Sequence, residues 1–253
     1  MKRFKIVVAY DGTNYCGWQV QPNGTTIEGV LNQTLCHLLK EEIHIIGASR
    51  TDSGVHALGN VAVFDSETKI PPEKICFALN AQLPADIRVI SSSQVADHFH
   101  PRYQHAKKTY EYHIQNGKIP FPTMRLYAHS VIFPLNVEAM QKAGEYLIGT
   151  HDFKSFCAAK TQVKTTVRTI TDLQVLERMT GGESETKEII LQVTGEGFLY
   201  NMVRIISGTL IKAGLGVYPP EYVKEILEAR DRSLAGETAP ARGLFLKKIE
   251  YLT

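Results

Sequence analysis

The chain has 253 residues, 43% of them apolar and 21% charged, enough to bury a sizeable core in one large domain or two smaller ones. A formal charge of +2 permits a nucleic-acid partner without demanding one, and it excludes the strongly basic class that composition alone assigns to nucleic acid. Four cysteines, Cys16, Cys36, Cys76 and Cys157, stand at wide spacings with no C-x-x-C pair; this fits neither a disulfide framework nor a structural zinc site and suits a reducing cytoplasm.

The basic opening Met-Lys-Arg-Phe-Lys leads into an apolar run of only about five residues before Asp11, too short for a signal peptide. No stretch approaches the roughly 18 apolar residues of a membrane span, so no membrane partner is expected. Phe4 to Tyr10 reads as a short β-branched strand. Thr25 with Glu28 reads as a capping box that opens a helix with apolar Ile27, Val30, Leu31, Leu35, Leu38 and Leu39. Ile43 to Gly47 and Asn60 to Asp65 are two further expected strands, Pro71-Pro72 starts a second helix reaching Leu83, and Ile87 to Val95 is another strand. The order β-α-β-β-α-β is the ferredoxin-like signature.

Beyond a boundary placed near residue 105, strands are expected at Thr109 to Gln115 and Leu126 to Phe133, then a helix from Val137 to Ile148. Thr165 to Leu176 and Thr186 to Thr194 read as strands joined by a turn containing Gly181-Gly182. An amphipathic helix from about Phe198 to Ala213, a short helix after Pro219-Pro220 and a strand from Leu244 to Tyr251 follow. The fold expected is α+β, and similar element content in both halves suggests two related α+β units, 1–105 and 106–253.

Between two of the expected strands lies Ile46-Gly-Ala-Ser-Arg-Thr-Asp-Ser-Gly-Val-His-Ala57, a loop with one aspartate, Asp52, between small residues and glycines. Glycines let such a loop approach a ligand closely, although an aspartate there can equally bond its own turn, and Arg50 can equally be a surface charge. Arg204, set among Val203, Ile205 and Ile206 of the later helix, is expected half-buried. A guanidinium in apolar surroundings needs a carboxylate or several acceptors, unless its stem lies along the surface with its head in water. In Lys107-Lys108-Thr109-Tyr110-Glu111-Tyr112, strand alternation puts both tyrosines on one face beside two lysines. That pattern suits stacking on an unpaired RNA base, or two core tyrosines with their hydroxyls at the rim. Asp52, His56, His98 and His100 could be read as ligands of a metal-dependent hydrolase, but no zinc spacing, phosphate loop or nucleophile elbow is present.

Taken in order, "GASRTDSGVHALGNV", "KKTYEYHI", "GEGFLYNMVRIISGTLI" and "APARGLFLKKIEYL" resemble the tRNA pseudouridine synthase A family, as do "YDGTNYCGWQ" and "GTHDFKSF". Ser49 and Asn60 depart from that pattern, standing where the family more often has glycine and glutamine. The resemblance covers nearly the whole chain. It implies two ferredoxin-like halves with antiparallel sheets joined across a basic cleft, a homodimer, and isomerisation of uridine to pseudouridine at positions thirty-eight, thirty-nine and forty in the anticodon stem-loop of tRNA. It implies no cofactor and no metal. Asp52 would be the catalytic nucleophile, Arg204 its ion-pair partner and Tyr110 the residue against the target base, with Arg50, Lys107 and Lys108 as substrate contacts. Arg102, Lys160 and Arg168 are further candidates for phosphate contact. The alternative carried alongside is an RNA-binding protein of the same fold without catalysis.

Overall fold

The computed structural model describes residues 1–158, 163–179 and 185–252. Its first elements are β1 (Lys2–Tyr10), α1 (Ile27–Leu39), β2 (Ile46–Gly47), β3 (His56–Ser66), α2 (Ile75–Asn80) and β4 (Ile87–Val95). Next come β5 (Ala106–Asn116), β6 (His129–Val131), α3 (Val137–Glu145), β7 (Gly149–Asp152) and β8 (Val167–Met179). The series ends with β9 (Lys187–Gly195), α4 (Met202–Gly214), α5 (Tyr222–Ala229) and β10 (Leu244–Tyr251). The architecture is α+β with mixed strand pairing, and none of the five α-helices among the described residues is long and apolar enough to cross a membrane. The chain forms two compact units, residues 1–106 with 245–253, and residues 107–244.

In the first unit β1 alternates as a half-buried strand should, with Phe4, Ile6, Val8 and Tyr10 turned inward. It pairs antiparallel with β4 on one side and β3 on the other, and β2 adds antiparallel to β3. β10 pairs parallel to β3, Phe245 opposite His56 and Leu246 opposite Ala57, so the pairing is not purely antiparallel as expected. The cap of α1 is Thr26 rather than Thr25: its side chain accepts from the Gly29 amide at 3.2 Å. Thr25 is occupied elsewhere, its carbonyl taking the Cys16 amide at 2.8 Å, and Glu28 accepts from the Val20 amide at 2.8 Å instead of closing a capping box. The amides of Ile27 and Glu28 donate to the carbonyls of Gly17 and Trp18, so the 16–20 segment satisfies the start of the helix. β2 is shorter than the expected Ile43 to Gly47 because side chains claim its donors. Cys36 Sγ accepts from the Ile43 amide and Asn32 Oδ1 from that of Ile45. The second helix opens as a 3-10 turn at Pro72–Lys74 and stops at Asn80, whose amide group bonds both backbone groups of Val89 on β4.

In the second unit the antiparallel order is β5-β9-β8-β7, and β6 pairs parallel to β5. Both faces of β5 are covered: Thr109, Tyr110, Glu111, Tyr112, Ile114, Gln115 and Asn116 are all buried, so the alternation expected for this strand does not set exposure. The helix expected from Phe198 begins at Met202, after Asn201 in the left-handed conformation at φ 60°. Rather than a stripe, α4 buries nearly every residue, and its hydroxyls make that tolerable: Ser207 bonds the Val203 carbonyl and Thr209 that of Ile205. The turn containing Gly181-Gly182 lies outside the described residues.

Candidate active site

The Asp52 loop, residues 48–55, leaves β2 and returns into β3. Its exposure alternates: Ser49 and Thr51 are buried, Arg50 is exposed and Asp52 is half-buried. Arg50 and Asp52 are therefore more exposed than Ser49 and Thr51, whose side chains are packed. Backbone bonds close the turn, from the Ala48 amide to the Val61 carbonyl at 2.7 Å and from the Val55 amide to the Asp52 carbonyl at 3.1 Å.

The segment after β1 forms a second wall under this loop. Trp18 donates its amide to the Thr51 carbonyl at 3.0 Å, and the Tyr15 carbonyl accepts from the Gly54 amide and the Ser53 hydroxyl. Gly17 sits at φ +88°, and a Cβ built there would lie 2.7 Å from the Thr51 carbonyl oxygen, so this approach excludes a side chain. The Tyr15 hydroxyl donates to Asp86 at 2.7 Å; burial first, and then that carboxylate, raise its pKa far above the ordinary phenol value. From beneath, the Tyr10 hydroxyl meets the Thr51 hydroxyl at 2.7 Å, and Asn60 Nδ2 donates to the Ser49 carbonyl at 3.0 Å. His56 Nδ1 accepts from the Gly12 amide at 3.1 Å, lies 3.1 Å from Asp11 Oδ1, and stacks its ring on Phe245 with centroids 4.5 Å apart. Arg102 donates to the Gly47 carbonyl at 2.7 Å; desolvation, then the neighbouring Arg50, lower its pKa from the usual guanidinium value.

In the second unit Tyr110 on β5 is 9% exposed and meets Phe198 edge-to-face, with centroids 5.1 Å apart at 81°. Tyr112, the other tyrosine of the pair, is a core residue: its hydroxyl donates to the Pro240 carbonyl at 2.9 Å and burial raises its pKa strongly. Arg204 is half-buried on α4, as expected. Its Nε donates to the Ala239 carbonyl at 2.7 Å and its Nη1 to Asn201 Oδ1 at 2.9 Å, which fixes the plane of the guanidinium. Asn201 is able to reach it because its left-handed backbone, which asparagine tolerates well, turns the chain just before the helix.

A family model described as tRNA pseudouridine synthase matches residues 6–104 and 143–252. The chain is 49% identical over 251 residues to a protein of Thermoanaerobacter sp. (strain X514) named tRNA pseudouridine synthase A, covering 99% of this chain and 100% of that one. It is 46% identical over 251 residues to a Bacillus subtilis (strain 168) protein of the same name, covering 98% and 99%. The chain belongs to the tRNA pseudouridine synthase family.

The residues singled out in this pseudouridine synthase family chain divide between the units: Asp52 and Arg50 lie in the first, Tyr110, Arg204, Lys107 and Lys108 in the second. Lys107 and Lys108 are half-buried at the start of β5, Lys108 opposite Gly195 of β9. Arg168 turns back on the carbonyls of Thr165 and Val167, and Lys160 lies outside the described residues. Of the histidines considered as ligands, His56 is held as described and His100 stacks on Tyr103 at 4.1 Å. Among the described residues no group of three or more His, Cys, Asp or Glu side chains is arranged to hold a metal. Sequence reasoning missed Tyr10, Gly17, Trp18 and Asn60 as the support of the Asp52 loop. The block "YDGTNYCGWQ" was the available signal, since its glycines and aromatics have no helix or strand period to explain them.

Proposed function

We propose that this chain isomerises uridine to pseudouridine in tRNA, at positions thirty-eight, thirty-nine and forty of the anticodon stem-loop, with Asp52 as nucleophile. Family membership supports tRNA uridine isomerisation. The observation that carries the aspartate's role is the construction of its loop. Thr51 and Ser53 on either side of Asp52 are held by backbone and side-chain bonds to Tyr10, Tyr15 and Trp18, so the half-exposed aspartate sits on a loop fixed by neighbouring segments, more support than a surface turn requires.

The reaction breaks the N1–C1′ bond, turns the base and forms a C5–C1′ bond; C5 gives up its proton and N1 gains one. No electrons are exchanged, so the chemistry calls for charge stabilisation and a closed pocket. Asp52 adds to C6 of the ring or acts at C1′ of the ribose. In this reading Arg204 is its ion-pair partner, which keeps the carboxylate charged. A stem base is out of reach within an A-form helix, so it must be flipped out. In this reading Tyr110, 9% exposed and packed edge-to-face on Phe198, lies against the flipped base, and base–aromatic stacking is worth roughly 1–3 kcal/mol. Arg50, Lys107 and Lys108 hold phosphates and offset the repulsion between Asp52 and the RNA backbone. The proposal includes two units of ferredoxin-like type, one half carrying Asp52 and the other Tyr110 and Arg204, acting in a cytoplasmic homodimer without metal or cofactor.

Tritium release from C5-tritiated uridine in an anticodon-arm tRNA, without added metal or cofactor, tests this reading. The parent should release tritium and Asp52→Asn should not, while both bind the tRNA. A parent that binds and releases nothing overturns catalysis and favours the RNA-binding reading.

A further inference from the structure

We propose that Tyr10 is a positioning residue for Asp52, acting through the Thr51 side chain and braced by Asn60. The inference rests on the reading of Asp52 as the nucleophile and goes beyond it.

Tyr10 is the last residue of β1, opposite Ala57 of β3 just past a register shift, and Asn60 lies within β3 opposite Val8, so both groups stand on paired strands rather than on a loop. They are 4% and 0% exposed. The Tyr10 hydroxyl meets Thr51 Oγ1 at 2.7 Å, and Asn60 Nδ2 reaches both that hydroxyl at 3.4 Å and the Ser49 carbonyl at 3.0 Å. Asn60 Oδ1 accepts from the Val61 amide at 2.9 Å, which fixes the orientation of the carboxamide. Thr51 is thereby held twice, through its hydroxyl by Tyr10 and through its carbonyl by Trp18. The next residue along the chain is Asp52.

Loop closure does not explain these groups. The Ala48–Val61 and Trp18–Thr51 backbone bonds already close the loop. Nor does stability. A buried side-chain hydrogen bond adds little net stability, and β3 elsewhere fills its core positions with Val61, Ala62, Val63 and Phe64. What the polar network adds is direction, because it fixes the peptide that aims the carboxylate. A misplacement of about 1 Å in a reacting group can reduce a rate by about a hundredfold.

Single-turnover pseudouridine formation and tRNA dissociation constants are to be measured for the parent, Tyr10→Phe, Thr51→Val, Thr51→Ser, the Tyr10→Phe/Thr51→Val double variant and Asp52→Asn. Tyr10→Phe and Thr51→Val should each slow the chemical step about 10- to 100-fold with tRNA affinity changed less than about twofold. The double variant should be no slower than the slower single one, and Thr51→Ser, which keeps the hydroxyl, should stay within about threefold of the parent. Parent rate in a folded Tyr10→Phe, equal losses in rate and affinity, or multiplicative losses in the double variant would each overturn the proposal. If Tyr10→Phe does not fold, Thr51→Val against Thr51→Ser decides it. An active Asp52→Asn removes the nucleophile reading and this one with it, whereas an inactive Asp52→Asn beside a normal Tyr10→Phe removes this one alone.

Discussion

Replacing Gly17 by alanine measures how closely the segment after β1 is pressed against the Asp52 loop. The residue sits at φ +88°, where a Cβ costs roughly 1–2 kcal/mol through backbone sterics alone. The same Cβ would stand 2.7 Å from the Thr51 carbonyl oxygen and 3.1 Å from the Asp52 carbonyl carbon, both backbone atoms, so the loop must shift. The shift weakens the 3.0 Å bond from the Trp18 amide to that carbonyl, adding about 1 kcal/mol. The sum is about 2–3 kcal/mol. Gly216 supplies the control: its φ is +71° and nothing lies within 4 Å of a Cβ built there, so Gly216→Ala should lose only the backbone contribution of about 1–2 kcal/mol. Urea unfolding of both variants, with single-turnover rates on tRNA, reads the difference. Gly17→Ala should be the less stable and the slower, and Gly216→Ala should keep the parent rate. A Gly17→Ala that loses no more than Gly216→Ala refutes the close approach.

His113 gives a prediction in pH. Burial opposes its charge, but Glu188 Oε1 at 2.8 Å from Nδ1 and Glu111 Oε2 at 3.6 Å from Nε2 outweigh it and raise its pKa above 6.5. A raised folded pKa makes a contribution that is complete below the unfolded value and lost as pH rises through the folded one. The stability difference between the parent and His113→Gln should therefore be largest below about pH 6.5 and shrink above it; pH-resolved urea melts showing a constant or growing difference would contradict the buried ion pair. Arg50→Ala should weaken tRNA binding and make log K against log salt shallower by somewhat under one unit, as loss of one phosphate contact requires; an unchanged slope would remove Arg50 from the interface.

What the sequence made legible is what local spacing encodes. Alternation in Phe4 to Tyr10 and the apolar runs at Ile87 to Val95 and Leu244 to Tyr251 located β1, β4 and β10 closely. Where a nearby side chain or carbonyl takes over a backbone group, the pattern misleads. Thr25 lost the cap to Thr26, and Cys36 and Asn32 shortened β2. Asp52 drew attention as a carboxylate among glycines and Arg204 as a guanidinium in an apolar helix, but spacing alone fits a turn aspartate and a surface arginine as well, and their candidate roles came from the family resemblance. Two groups that accept from Arg204, Asn201 Oδ1 and the Ala239 carbonyl, could not both be read, since one lies a turn away and the other 35 residues on. The support of the Asp52 loop was invisible for the same reason, Tyr10 and Thr51 being separated by 41 positions. The tyrosine pair misled in another way. Alternation treats Tyr110 and Tyr112 alike, but only three-dimensional packing sends one ring to Phe198 and the other hydroxyl to the Pro240 carbonyl.

The parallel pairing of β10 with β3 has a consequence for synthesis. Residues 1–106 leave the ribosome early, yet their unit is complete only with residues 245–253, after the 138 residues numbered 107 through 244. At roughly 5–20 residues per second that wait lasts about 7–28 seconds. Throughout it the edge of β3 at His56 and Ala57 stays unpaired and the His56 ring lacks Phe245. The stretch left waiting is the one into which the Asp52 loop runs, so the nascent chain acquires the finished flank of its candidate nucleophile only when β10 emerges.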